Sequence, residues 1–273
     1  ADQVDQNIKK LDINGNVLWN IFSFDPIDVA VNPDGTLIYV VNSFDKIVEI
    51  YDSNGISRGF WTTYADGTKS SKIGGSDIDT DPTGEFIYVS AGNKIYKYDK
   101  FGKFIKSWSI TAVNNGSLEF SIGENGNIIV AADKIIIIYD KEGNKLKEIP
   151  HPIPSRSILF NYVAVDENDN IYTSSTGKFF AKLNKDGQLL TPIDSSILIK
   201  KDPDTCGSFI TDIIADPTGE FIYKLETAST SNPPTLDCIK KFKKHIPPLA
   251  IDQTITVQDK EPFSIKLTSE EKN

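Results

Sequence analysis

The sequence predicts an all-β chain folded as a β-propeller of four-stranded antiparallel blades. Three observations carry that expectation. A turn of the form Asp/Asn-x-x-Gly recurs with glycines at 15, 55, 102, 143 and 187, spaced 40, 47, 41 and 44 residues apart. Between these turns lie only short runs of alternating apolar and polar residues, the period of a strand. A period of roughly 40–50 residues made of such strands and turns is that of a propeller blade. A blade cannot bury both of its faces alone, so several must stack side by side.

The clearest repeat gives the elements in order. The turn Asp81-Pro82-Thr83-Gly84 leads into a second strand, Phe86-Ile87-Tyr88-Val89. A third strand, Ile95–Tyr98, is followed by the turn Asp99-Lys100-Phe101-Gly102 and a fourth strand ending at Trp108. The equivalent first turns are Asn32-Pro33-Asp34-Gly35, Gly123-Glu124-Asn125-Gly126, Asp166-Glu167-Asn168-Asp169 and Asp216-Pro217-Thr218-Gly219. Most read as type I turns: Asx accepts at the first position, Pro presets φ at the second, and Gly closes the fourth. Short first strands such as Asp28-Val29-Ala30-Val31 precede them. Further third strands are expected at Ile47–Tyr51, Ile135–Tyr139, Phe179–Leu183 and Ile239–Phe242. Trp61, Trp108, Ile149 and Leu190 fall near the ends of fourth strands. Nothing in the first 246 residues sustains a 3.6-residue apolar period, so helix content is expected to be near zero.

Both ends depart from the repeat. The start holds only a third strand, Ile8–Leu11, and a fourth, Val17-Leu18-Trp19. These either close the ring onto the last blade or belong to a blade whose start is missing. Six third-strand segments are visible, which favours six blades over five.

Composition narrows the function classes. The net charge of −9 argues against binding a phosphate backbone, which needs clustered Lys and Arg. Lys240, Lys241, Lys243 and Lys244 read as the solvated face of one strand, so no nucleic-acid partner is expected. No apolar run approaches the ~18 residues of a transmembrane helix, so this segment is not expected to insert into a membrane. The chain has no methionine and no leader-like start, as expected of a mature or excised piece of a longer protein.

Several phrases resemble known families. Val29-Ala30-Val31-Asn32-Pro33-Asp34-Gly35-Thr36-Leu37-Ile38-Tyr39-Val40, the segment Ile95–Lys103 and the opening Ala1–Asp12 resemble NHL repeats and the related YVTN and SMP-30-like propellers. The likeness covers residues 1–246 and implies the propeller fold. Those families include adhesion modules, protein-binding platforms, lyases and lactonases, so the fold does not choose a function. The amidating lyases among them use several histidines with zinc. This chain has two, His151 and His245, in no metal-ligand spacing. The tail, residues 247–273, opens with Pro247-Pro248 and alternates apolar residues at Ile255, Val257, Phe263, Ile265 and Leu267. It resembles a linker and the first strands of a cadherin-like or Ig-like surface module; a plain strand docking on the propeller is the other reading.

One set of residues invites chemistry. Four positions before the head of each first turn stand Asp28, Asp77, Glu119, Tyr162 and Asp212. If alternation turns these side chains to the central channel, the four carboxylates converge and repel unless a cation or protons intervene. Ca²⁺, which prefers oxygen ligands, is the expected cofactor of Asp28, Asp77, Glu119 and Asp212. The competing reading is that they line a wide, wet channel. The long loops Phe60–Ser76, Ile149–Asn161 and Pro192–Phe209 gather on one face and offer Trp61, Tyr64, His151 and Arg156 as ligand contacts. Trp61 would either stack on a sugar or a protein, or cover the edge of the core. Asn115-Gly116-Ser117 is an N-glycosylation sequon in an expected surface loop.

Together these features suggest an extracellular adhesion or structural binding module of a larger surface protein. Its partner would be a protein or glycan at the cell surface, with self-association or polymerisation a further outcome. The alternative is a metal-dependent lyase or lactonase on the same scaffold. Cys206 and Cys238 are the only cysteines, an even count that suits pairing in a secreted protein. Their disulfide would add roughly 3–4 kcal/mol by restraining the unfolded chain. Thiol titration of the unreduced, unfolded protein should find no reactive thiol; two reactive thiols would rule the bond out.

Overall fold

The computed structural model describes residues 6–12, 16–63, 73–111, 118–151, 160–175, 179–190, 209–215, 221–227, 238–243 and 253–256. Of these, 175, 179–180, 209–211, 221–227, 238–243 and 253–256 are described by backbone alone. Among the described residues every regular element is a strand, and no helix is long and apolar enough to cross a membrane. The chain divides into two compact units, Ala1–Lys10 with Leu18–Pro150, and Leu11–Val17 with His151–Asn273.

Strands β1 (Asn7–Leu11) and β2 (Val17–Phe22) pair as a two-stranded sheet. The first complete blade is β3 (Pro26–Val31), β4 (Leu37–Asn42), β5 (Ile47–Asp52) and β6 (Ser57–Thr62). The second is β7 (Asp77–Thr80), β8 (Phe86–Ala91), β9 (Lys94–Asp99) and β10 (Phe104–Ser109). The third is β11 (Glu119–Ile122), β12 (Ile128–Ala132), β13 (Ile135–Tyr139) and β14 (Lys145–Pro150). In the second unit β15 (Tyr162–Val165), β16 (Ile171–Ser175) and β17 (Phe179–Leu183) form a three-stranded sheet, to which Leu189 adds one bridge at Leu183. A fourth complete blade follows: β18 (Phe209–Ala215), β19 (Phe221–Thr227), β20 (Cys238–Lys243) and β21 (Gln253–Thr256). Each sheet is an antiparallel meander, and consecutive first strands lie side by side, β3 against β7 and β7 against β11.

The blade count corrects the sequence reading. The sequence favoured six blades over five; among the described residues four complete blades are present. All six third-strand segments are strands, but counting them also counts the sheets that have only two or three. In the tail, Gln253–Thr256 pairs with β20, Ile255 opposite Ile239, as the outer strand of the last blade; residues 257–273 lie outside the described residues. Alternation at Ile255 and Val257 fits a docking strand and a module's first strand alike, so the pattern alone could not choose between them.

Burial explains the composition of each strand. The second and third strands are covered on both faces, so β12 and β13 are almost wholly apolar, Ile-Ile-Val-Ala-Ala and Ile-Ile-Ile-Ile-Tyr. Fourth strands are the outer edges and expose most residues, with Arg58, Lys106, Lys145 and Lys147 discouraging edge-to-edge pairing. The register shifts at the same point in three blades, at Ile50/Tyr51, Phe104/Lys106 and Ile138/Tyr139, next to the Asx-x-x-Gly turn. That turn is held by its Asx: Asp99 Oδ1 accepts from Phe101 N and Lys103 N at 2.9 Å each, and Asp140 Oδ1 repeats the pattern.

The blades are keyed to one another by a tryptophan. Trp61 is 8 % exposed and lies between Tyr39 of its own blade and Tyr98 of the next, ring centroids 5.7 and 6.5 Å away. Trp108 repeats this between Tyr88 and Tyr139, both at 6.3 Å. Trp19 of β2 donates to the Ser53 carbonyl at 3.1 Å, in the corresponding turn of the first blade. Each indole covers the glycine of the following turn. A Cβ built on Gly102 would fall 2.2 Å from Trp61 Cγ, and one on Gly143 would fall 2.6 Å from Trp108 Cδ2. Gly102 is therefore required twice, by its φ of +83° and by the ring above it.

Two substitutions separate these demands. Gly126 has a φ of +78° with nothing within 4 Å of a built Cβ. Gly126→Ala should lose only about 1 kcal/mol for the left-handed backbone. Gly102→Ala adds a collision with a packed ring and should lose roughly 2–4 kcal/mol in all. Chemical denaturation compares the two, and equal losses would disprove the keyed junction.

Candidate functional site

The loop end of the first blade carries a preformed aromatic platform. Phe24 precedes β3, and Phe44 lies in the β4–β5 loop; their rings meet edge to face at 5.2 Å. The rings remain 40 % and 69 % exposed, a cost in hydration that favours covering them. Asn42, buried at the end of β4, ties the two loops together. Its Nδ2 donates to the Phe24 carbonyl, and its Oδ1 accepts from Asp45 N at 2.8 Å. Asp25 and Lys46 take left-handed backbone with φ of 50° and 58°, which sets the direction of both loops. The sequence reading missed this pair. The available signal was a β4–β5 loop of four residues with a phenylalanine in it, where β8–β9 and β12–β13 are joined by two.

Three first-strand acids, Asp28, Asp77 and Asp79, reach sideways to the next blade. Asp28 Oδ2 accepts from Ile78 N of the next blade at 2.9 Å. Asp77 Oδ2 accepts from Phe120 N at 2.7 Å, and Asp79 Oδ2 from Ile122 N at 2.9 Å. Thr80 Oγ1 adds a bond to the Val31 carbonyl at 3.1 Å. The inner edge of each sheet would otherwise leave these amides unpaired, at about 1–3 kcal/mol each when buried. The register shift between Pro26 and Asp28 turns the Asp28 side chain, and β18 shifts at the matching place before Asp212.

This use strains the carboxyls electrostatically. Asp77 is buried, and its carboxyl is pushed well above the usual carboxylate range, first by burial, then by the charges of Glu119 and Asp28 and a hydrogen bond to Asp28. Burial pushes Asp79 up to about 7, against the amide bonds from Ile122 and Thr80.

Asp28, Asp77 and Glu119 come from neighbouring first strands of one unit. In the other unit Asp212 Oδ1 accepts from Ile213 N at 2.7 Å. Asp28 and Asp77 each give one carboxylate oxygen to a backbone amide. Among the described residues no group of three or more His, Cys, Asp or Glu is placed to hold a metal ion. Trp61 sits inside β6 and is buried, so it is the core-edge residue and not a loop contact. His151 stacks on Phe160 at 4.3 Å. Tyr64, Arg156, Asn115 and Cys206 lie outside the described residues.

Comparison with known proteins supports the fold and nothing finer. No family model matches the chain, and no curated protein matches its sequence. Among solved structures, Kuenenia stuttgartiensis hydrazine synthase is similar with a TM-score of 0.61 at 13 % identity, covering 88 % of this chain and 68 % of that one. The WD40 repeats of RRP9 give 0.60 at 10 % identity, covering 88 % and 70 %. A Bacteroides caccae protein of unknown function gives 0.60 at 12 %, covering 85 % of each. The chain is thus an all-β propeller with four-stranded antiparallel blades. At these identities the likeness carries the fold alone.

The raised acids make stability depend on pH. A carboxyl whose folded pKa lies above its unfolded value of about 3.9 favours the fold while protonated, so its stabilising contribution is lost as pH rises. For Asp79 the loss runs from about 4 up to about 7; Asp77 shifts in the same direction. Thermal melting across this range should show a falling Tm. Asp77→Asn keeps a carbonyl to accept from Phe120 N without the charge, so it should flatten the slope and raise Tm above pH 7. An Asp77→Asn/Asp79→Asn double variant with the wild-type slope would refute the assignment.

Proposed function

We propose that the chain is a non-catalytic binding module, an NHL-type propeller in a secreted or cell-surface protein, that engages a protein partner through the loop end of its blades. The observation that supports it is the Phe24–Phe44 pair. Two aromatic rings are exposed side by side on loops fixed by a buried asparagine, and aromatic anchors on a rigid support are what protein interfaces use. Of the inner carboxylates that would serve the lyase or lactonase alternative, Asp28 and Asp77 each give an oxygen to the backbone of the next blade. Adhesion or structural attachment at the cell surface suits such a module.

Labelled protein should decorate the surface of source cells, and Phe24→Ala/Phe44→Ala should weaken that binding roughly tenfold or more. Both side chains are exposed enough for the variant to keep its Tm. Unchanged decoration by the variant would remove the platform from the interface. Metal analysis with a lactone and ester hydrolysis screen tests the other half: turnover that tracks a bound metal would overturn the non-catalytic reading.

A further inference from the structure

The opposite, turn end of the first two blades carries a second constellation. A cavity of about 510 Å³ opens between them, within the roughly 300–1,000 Å³ of small-molecule sites. One side is formed by Asn32, Pro33, Asp34 and Thr36 with Arg58 and the apolar floor of Leu37 and Ile50. The other is formed by Thr83–Glu85 with Lys100 and Phe101. The two walls come close at Gly84, where an added Cβ would meet Pro33 Cδ at 3.3 Å.

We infer that this groove binds a neutral saccharide. Phe101 is 78 % exposed at the rim, and an aromatic face left open in water is a platform for the apolar face of a sugar ring. Around it stand planar polar groups already held in place. Arg58 directs Nε and Nη2 to Asp52 Oδ2 at 3.1 and 2.6 Å, which fixes the guanidinium plane and leaves Nη1 to donate. Lys100 Nζ meets Glu85 Oε1 at 2.7 Å beside the Phe101 ring. Asp34 Oδ1 is fixed by Thr36 N and Oγ1 at 2.9 and 2.6 Å.

The balance of charge selects the ligand. Arg58 is paired with Asp52 and Lys100 with Glu85, and Asp34 adds one more carboxylate, so the groove has no excess positive charge to attract an anion. It offers donors and acceptors interleaved within one cavity. A hydroxyl is both donor and acceptor, and a ring carrying several of them can meet such an array without burying an unpaired charge. The site is at the other end of the blades from Phe24 and Phe44 and is independent of that platform.

The test is an array of neutral and charged oligosaccharides, followed by titration calorimetry with the neutral sugar that binds best. Wild-type protein should bind neutral members in preference to sialylated or sulfated ones. Phe101→Ala should weaken that binding roughly tenfold or more, and Leu146→Ala, an exposed apolar residue on another blade, should leave it unchanged. Lys100→Gln provides a second reading that keeps the groove's shape, and it too should weaken binding. Silence across all neutral sugars, a preference for charged ones, or equal binding by Phe101→Ala and wild type would overturn the proposal.

Discussion

A sheet that is apolar on both faces cannot exist alone in water, and every other property of this chain follows from how one blade is fixed to the next. The junction is made at two radii. Near the inner edge, carboxylates of one first strand accept from backbone amides of the next, Asp28 to Ile78 and Asp77 to Phe120. Toward the outer edge, a tryptophan of one blade lies on the turn glycine of its neighbour, Trp61 on Gly102 and Trp108 on Gly143. The inner contact is directional and sets the register between blades. The outer one is steric and sets their spacing. Between them lie the apolar second and third strands, buried because both junctions hold.

The inner contact has an electrostatic cost that the outer one lacks. Side-chain acceptors are needed because the inner edge of each sheet has no strand beside it, and Asp is short enough to reach the next backbone from its own. Successive blades therefore place successive acids close together. The result is a row in which Asp77 is raised by burial and by Glu119 and Asp28 together. Protons can relieve that repulsion with no ion present, and the hydrogen bond between the Asp77 and Asp28 carboxyls is one such arrangement.

The repeat, the turn chemistry and the third strands were legible in the sequence because they are local. Asn32 and Asp81 at the heads of their turns and glycine at the left-handed positions are dictated by a few adjacent residues. What the sequence could not supply was partnership between blades. Alternation along β7 says that Asp77 and Ile78 point to opposite sides, but not that an amide from another repeat stands within reach of Asp77. Converging carboxylates suggested a cation; the bonds from Ile78 N to Asp28 and from Phe120 N to Asp77 could not be read from the repeat. Trp61 shows the same limit, since the glycine that explains it lies 41 residues away in the neighbouring turn. The outer strand Gln253–Thr256 was obscured because the chain after β20 no longer follows the phrase of the repeat.

This division also indicates where function resides. Many residues that recur at the same position in each repeat answer the recurring problem of joining blades: Asp28 and Asp77, the indoles Trp61 and Trp108 and the glycines Gly102 and Gly143 are all used in it. Reading chemistry from recurrence therefore points to the scaffold. Phe44 and Phe101 break the repeat. The loops equivalent to Ser43–Lys46 are Gly92-Asn93 and Asp133-Lys134, and the positions equivalent to Phe101 are Asn54, Glu142 and Asp186. In each case a polar or small residue suited to a turn is replaced by a phenylalanine left in water. Neither ring is required by the junctions, and each is disfavoured by hydration where it stands. A side chain that the fold does not need and that solvent opposes is the kind that a ligand would explain, and these two lie at opposite ends of neighbouring blades.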